Sequence, residues 1–141
     1  MLIKAAIDTN VIVSGLIKSP SCRKVIRALE KKEFVAVVSP AIISELVGVI
    51  SRPKFKGAIN QEIASKIVYA LKSQALLVRP SVKIDAIKAD PDDNMFLEAA
   101  ITAKANVIVS MDKHLLALVT FRNIPIVLPE EFLKRLHRAC R

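Results

Sequence analysis

The sequence predicts a three-layer α/β/α sandwich with a mostly parallel central sheet of about five strands, because short apolar runs alternate along the chain with segments of helical periodicity. The runs, such as 35–38 and 106–110, are rich in Val, Ile and Ala and lack the polar alternation of a half-exposed strand. They therefore read as strands covered on both faces.

The first strand is the run Leu2 to Ile7, which stops abruptly at Asp8-Thr9-Asn10. Val11 to Ile17 reads as a short helix, and Ser19-Pro20-Ser21 opens another with Val25, Ile26 and Leu29 inward. Val35 to Val38 is the second strand. Ser39 followed by Pro40 combines a cap residue with proline at the first helical position, and the helix carries Ile42, Ile43, Leu46, Val47 and Ile50 on one stripe. Glu45 lies just off that stripe. Residues 51–57 are basic and loop-like, and Asn60 caps a helix with Ile63, Ile67, Val68 and Leu71 at helical spacing. Ala75 to Val78 is the third strand. Residues 79–92 form the longest irregular stretch and lead into a helix from Asp93 to Lys104, with Asp90 ahead of it, before a proline. Asn106 to Ser110 and Ile124 to Leu128 complete the sheet, and a helix from Glu130 ends the chain. No repeat or linker interrupts 1–141, so one domain is expected.

Composition narrows the function. Hydrophobic residues make up 52%, yet no run reaches the roughly 18 apolar residues of a membrane span, and Lys4, Asp8 and Asn10 break the N-terminal stretch where a signal peptide would lie. Cys22 and Cys140 are far apart with no metal-like spacing, so free thiols and a cytoplasmic location are expected. Lys and Arg number 22 against 13 acidic residues, a formal charge of +9 that commonly accompanies a polyanionic partner. Arg23, Lys24, Arg27, Lys31 and Lys32 decorate one helix, and Lys134, Arg135, His137, Arg138 and Arg141 crowd the C-terminus. The plainer reading makes both groups solvated faces. His114 and His137 receive no role.

Carboxylates are distributed more pointedly. In open α/β sheets, ligands bind beyond the carboxyl ends of the strands. Asp8 leaves the first strand there, and Asp112 follows the strand that ends at Ser110. Glu45 belongs to the second turn of a helix that begins at the same edge. Among Asp90, Asp92 and Asp93, helical phase puts Asp93 on the side of Phe96, Leu97 and Ala100, which must pack on the sheet, and makes Asp92 a cap or supporting residue. Each acid read alone could be no more than a cap or a solvated helix residue. Gathered together they would repel, and a hard divalent ion bound by oxygen, Mg²⁺ or Mn²⁺, would relieve that repulsion and support phosphodiester hydrolysis.

The stretches Ala5–Asn10, Ser39–Leu46, Asp90–Ala100 and Val109–Leu116 together resemble the PIN domain, and the chain is similar to its single-domain prokaryotic branch of VapC-type toxin–antitoxin nucleases. The resemblance covers nearly the whole chain. It implies a Mg²⁺- or Mn²⁺-dependent ribonuclease whose acidic quartet is Asp8, Glu45, Asp93 and Asp112, supported by Ser110 and Asn10. It further implies an RNA substrate, an antitoxin partner in some members and a homodimer. The rival is a catalytically quiet PIN-like module that holds RNA or protein. Other α/β families fail on residues. A dehalogenase-type phosphatase needs Asp where Asn10 stands, a receiver domain needs an adjacent acidic pair near the N-terminus, and Gly15, Gly48 and Gly57 form no phosphate-binding turn.

Overall fold

In the computed structural model, residues 2–88 and 91–139 are described. Strand β1 (Lys4–Ile7) leads into helices α1 (Thr9–Ile17) and α2 (Pro20–Glu30), followed by β2 (Val35–Val38) and α3 (Pro40–Ile50). After a 3-10 turn at Pro53–Phe55 come α4 (Gln61–Ser73) and β3 (Leu76–Leu77). A second such turn, Pro91–Asp93, opens α5 (Asn94–Ala103), which precedes β4 (Val107–Val109), α6 (Lys113–Leu116), β5 (Thr120–Phe121), β6 (Ile124–Val127) and α7 (Pro129–Ala139).

Local chemistry sets the helix starts. The Ser19 and Ser39 hydroxyls accept the Cys22 and Ile42 amides ahead of α2 and α3, each with proline in its first turn, and the Asn60 side chain accepts the Glu62 and Ile63 amides. Helix α5 ends on Lys104 in the left-handed region, φ 54°, so that the chain turns back into β4.

The sheet order is β3-β2-β1-β4-β6-β5, parallel throughout except for the β5–β6 pair. The expected architecture holds, with six strands in place of about five. The addition is β5, paired through a two-residue turn at Arg122-Asn123, both at positive φ (47° and 71°). Ile7, Ala36 and Val38 project from one face of the sheet against Ile12, Val25, Ile26, Leu29, Ile42 and Leu71, while Phe132 of α7 meets Phe34 edge-on at 5.0 Å. Helix α5 packs on β1, β2 and β4, and its return direction places it on the other face by the right-handed crossover rule.

One feature of this order positions everything that follows. From β1 the chain steps outward through β2 to β3, then returns to lay β4 on the opposite side of β1. The topological switch point lies between β1 and β4, where the crevice of an open α/β sheet forms.

Candidate active site

Asp8 emerges at that switch point. Its amide donates to Val109 O at 2.9 Å and so extends the β1–β4 ladder past the last paired residues, and its carboxylate is 2% exposed. Oδ1 accepts the Asn10 amide at 3.3 Å, which makes Asp8 the N-cap of α1. Oδ2 accepts the Ser110 hydroxyl at 2.8 Å, and Ser110 Oγ in turn accepts the Asp112 amide at 2.9 Å. A hydroxyl has one proton to give and lone pairs to receive, so a fully buried Ser110 ties the exit of β1 to the exit of β4.

Asp112 is half-buried, and its Oδ1 accepts the His114 and Leu115 amides at 2.8 and 3.2 Å, capping α6. Asp93 is buried, at 8% exposure, and occupies the N-cap position of α5 without a side-chain cap bond. Helix α5 runs antiparallel to the strand it feeds, so Asp93 stands at the carboxyl edge. Glu45 is half-buried in the second turn of α3, which starts from the same edge and packs against both α1 and α5. Asp92 lies exposed in the 3-10 turn, so Asp93, and not Asp92, holds the cap position. Asn10 is exposed in the first turn of α1, where its amide rather than its side chain serves Asp8. Asp90, Cys140 and Arg141 lie outside the described residues.

Asp8, Asp93 and Asp112 occupy the N-cap positions of α1, α5 and α6 at the carboxyl edge, Asp8 and Asp112 with side-chain cap bonds. The partial positive charge of a helix N-terminus favours an anion there. The donors are oxygen atoms with no Cys or His among them, which fits a hard divalent cation by type. Among the described residues, however, no three His, Cys, Asp or Glu side chains are gathered closely enough to form a complete ligand set.

Two further residues act on this edge and carried no signal in the helical pattern. Asn94 is buried; its Oδ1 accepts the Ala86 and Ile87 amides at 3.1 and 2.9 Å, and its Nδ2 donates to Ile87 O at 3.0 Å. Glu98 accepts the Ile84 amide at 3.0 Å. Together they lash the irregular segment ahead of Asp93 to α5. On the far side of Ser110, the exposed Met111 accepts a contact from the buried Cys22 thiol of α2 at 3.7 Å. Burial pushes that thiol up from its usual 9.0, against the pull of the Ser19 hydroxyl; Glu130 pushes in the same direction as burial, and the Ser21 hydroxyl opposes it.

Over 96% of its length the chain is 27% identical to the uncharacterized protein MJ1680 of Methanocaldococcus jannaschii, of which it spans 93%. Among solved structures, PAE2754 from Pyrobaculum aerophilum superposes with a TM-score of 0.64 at 13% identity, over 97% of this chain and 90% of that one. VapBC2 from Rickettsia felis, bound to a DNA fragment from the promoter, matches at 0.56 and 16% identity, over 89% of this chain and 98% of that one. At such low identities these two show a shared fold. The sequence model of the PIN domain matches residues 4–114, from the first residue of β1 past Asp112, and on that match the chain belongs to the PIN domain family.

Proposed function

We propose that this chain is a metal-dependent ribonuclease, a single hydrolase domain that cleaves RNA phosphodiester bonds, and that it is the toxin component of a toxin–antitoxin system. The observation that carries the reading is the Ser110 hydroxyl between the Asp8 carboxylate and the Asp112 amide at the topological switch point. Family membership, oxygen donors at one edge and the +9 charge support it.

In this reading Asp8, Glu45, Asp93 and Asp112 hold Mg²⁺ or Mn²⁺, and Asn10, Asp92 and Ser110 support them. When bound, a divalent cation supplies charge neutralisation at the scissile phosphate and activation of water. The chain's own groups do the positioning. Ser110 holds Asp8 through its hydroxyl, and the bonds that cap α6 engage Asp112 Oδ1. Asn94 and Glu98 hold the segment that delivers Asp93.

The partners proposed with this function are an RNA substrate, an antitoxin protein and a second copy of the chain. The fold shared with VapBC2, whose structure was solved bound to a promoter DNA fragment, is the support for the antitoxin assignment. A cytoplasmic location goes with that role; among the described residues no helix is long and apolar enough to cross a membrane. One observation favours the second reading, a quiet RNA- or protein-binding module: the described acids do not yet form a complete ligand set.

Cleavage of total cellular RNA by the purified protein separates the two. Reactions with Mn²⁺, with Mg²⁺ and with chelator are run beside an Asp8→Asn plus Asp93→Asn control. Discrete, metal-dependent products absent from the control are expected. No cleavage, together with no Mn²⁺ binding, would move the assignment to the quiet module.

A further inference from the structure

Helices α2 and α7 pack side by side, and the groove between them encloses about 370 Å³. Lys24, Arg27, Ala28 and Lys31 line it from α2, at the spacing of three and four residues that places them on one helical face. Leu133, Leu136 and His137 line it from α7 at the same spacing. The floor is therefore apolar, made of the buried Ala28 and Leu136 with the half-buried Leu133. The rim is basic, since Lys24, Arg27, Lys31 and His137 are all exposed, and Glu33 is the one acid among the described lining residues. The ion pair described on α7, Arg138 with Glu131 at 3.6 Å, involves none of them.

The direction of this face, its chemistry and the charge of the chain together select an occupant. Cys22, whose thiol meets Met111 beside Asp112, lies about 160° around α2 from Lys24, so the groove looks away from the acids. A substrate strand held there would not be led to the carboxyl edge. Single strands of nucleic acid are held largely by stacking on aromatic rings, and among the described lining residues there is no Phe, Tyr or Trp. A second copy of this chain, at +9, would bring like charge to a basic rim. An apolar floor edged by cations is instead complementary to a helix whose apolar stripe is edged by carboxylates.

We infer that the α2–α7 groove docks an acidic amphipathic helix of a partner protein, with its apolar stripe on Ala28, Leu133 and Leu136 and its carboxylates on Lys24, Arg27 and Lys31. Lys24 and Lys31 are two turns apart, about 10 Å, so two to three turns of the partner helix cover the rim. Docking there does not depend on the nuclease reading, because the groove uses none of the candidate acids.

The test is fluorescence anisotropy with labelled synthetic peptides of about 18 residues, long enough for partial helix in isolation. One set carries a stripe of Leu, Ile or Phe at positions i, i+3, i+4 and i+7 flanked by Glu. A second set has the same composition scrambled so that no stripe forms, and in a third Lys replaces Glu. A single-stranded RNA of mixed sequence, in chelator, is the remaining probe. The full-length protein is compared with Lys24→Gln/Arg27→Gln/Lys31→Gln and with Lys24→Arg/Lys31→Arg, and thermal melts check that each is folded; all three cations are exposed, so folding should be preserved. A striped acidic peptide is expected to bind the wild type and the arginine variant alike, and the neutral variant about tenfold more weakly at low salt, since each exposed charge pair contributes modestly. The scrambled and lysine peptides should bind the wild type at least about tenfold more weakly than the striped one. The assignment is overturned if no striped peptide binds, if scrambling leaves affinity unchanged, or if a folded neutral variant binds as well as wild type. RNA that tracks the three cations and displaces the peptide would make the groove a nucleic-acid surface and overturn it equally. Peptide docking by a protein that cleaves no RNA and binds no Mn²⁺ would remove the nuclease reading and keep the groove, whereas cleavage without docking would do the reverse.

Discussion

Replacing Ser110 by alanine tests the joint between β1 and β4 directly. The side chain is fully buried and makes two hydrogen bonds, one given to the Asp8 carboxylate at 2.8 Å and one taken from the Asp112 amide at 2.9 Å. A hydrogen bond to an ionised group contributes about 1.5–3 kcal/mol and a neutral one about 0.5–1.5, and the missing hydroxyl leaves a carboxylate that is 2% exposed with less solvation. The expected loss is about 2–4 kcal/mol, which for a chain of this size lowers Tm by roughly 8–15 °C. Urea unfolding with an unchanged m-value, followed in the absence of metal, reads it. Pairing the change with Asp8→Asn in a double-mutant cycle should give a coupling of about 1 kcal/mol or more, since the two residues share a bond. A Ser110→Ala protein within about 0.5 kcal/mol of wild type would show that the hydroxyl does not hold the pair, and the account of the edge given above would be wrong.

Three other perturbations follow from the same structure. Asp93→Asn keeps a good cap residue but removes a charge from the acidic edge, so the metal-free protein should melt higher and respond less to Mn²⁺; a lower melting point with an undiminished Mn²⁺ shift would contradict the clustering. Gly15→Ala would bring its Cβ to 2.6 Å from Ile26 Cδ1 and 2.8 Å from Cys22 O, and because the second is backbone at the α1–α2 contact, denaturant melts should show a loss of about 1–3 kcal/mol. Burial, the largest cause, raises the Cys22 thiol above 9.0 in the folded protein. An unfolded chain therefore releases that proton first, so the stability contribution is complete below pH 9 and is lost as pH rises through the raised folded value. Melts from pH 8 to 11 should fall more steeply for wild type than for Cys22→Ala, and parallel curves would count against it.

Much of the fold around the candidate acids could be read from the chain because buried strands announce their own ends. After Lys4 the strand is apolar from Ala5 to Ile7, and the break at Asp8 falls where it leaves the sheet. Helical phase also separated Asp93, which is buried, from Asp92, which is exposed, since packing of Phe96 and Leu97 fixes the rotation of α5. What was not legible depends on partners distant in sequence. Thr120 and Phe121 form a strand only because Arg122 and Asn123 both adopt positive φ, and Arg-Asn is a weaker signal for such a turn than Asn-Gly. Residues 79–92 read as irregular, and the structure gives them no regular element before the 3-10 turn at Pro91–Asp93 among the described residues, yet Ile84 and Ile87 within them are buried. Their amides are satisfied by Asn94 and Glu98, side chains that a periodicity argument treats as ordinary helix surface. The fold emerges from patterns along the chain, whereas the scaffolding around the acids comes from contacts between segments.

The hydrogen bond from Ser110 to Asp8 joins residues 102 positions apart. Contacts of that span form late, because the intervening chain must be ordered before its ends can meet. At about 5–20 residues per second, a ribosome spends roughly 5–20 s between adding Asp8 and adding Ser110. Throughout that interval the nascent protein carries Asp8 without the strand that braces it. A fragment released before β4 has the carboxylate of β1 and lacks the second wall of the crevice, so the edge cannot be assembled until β4 has been made.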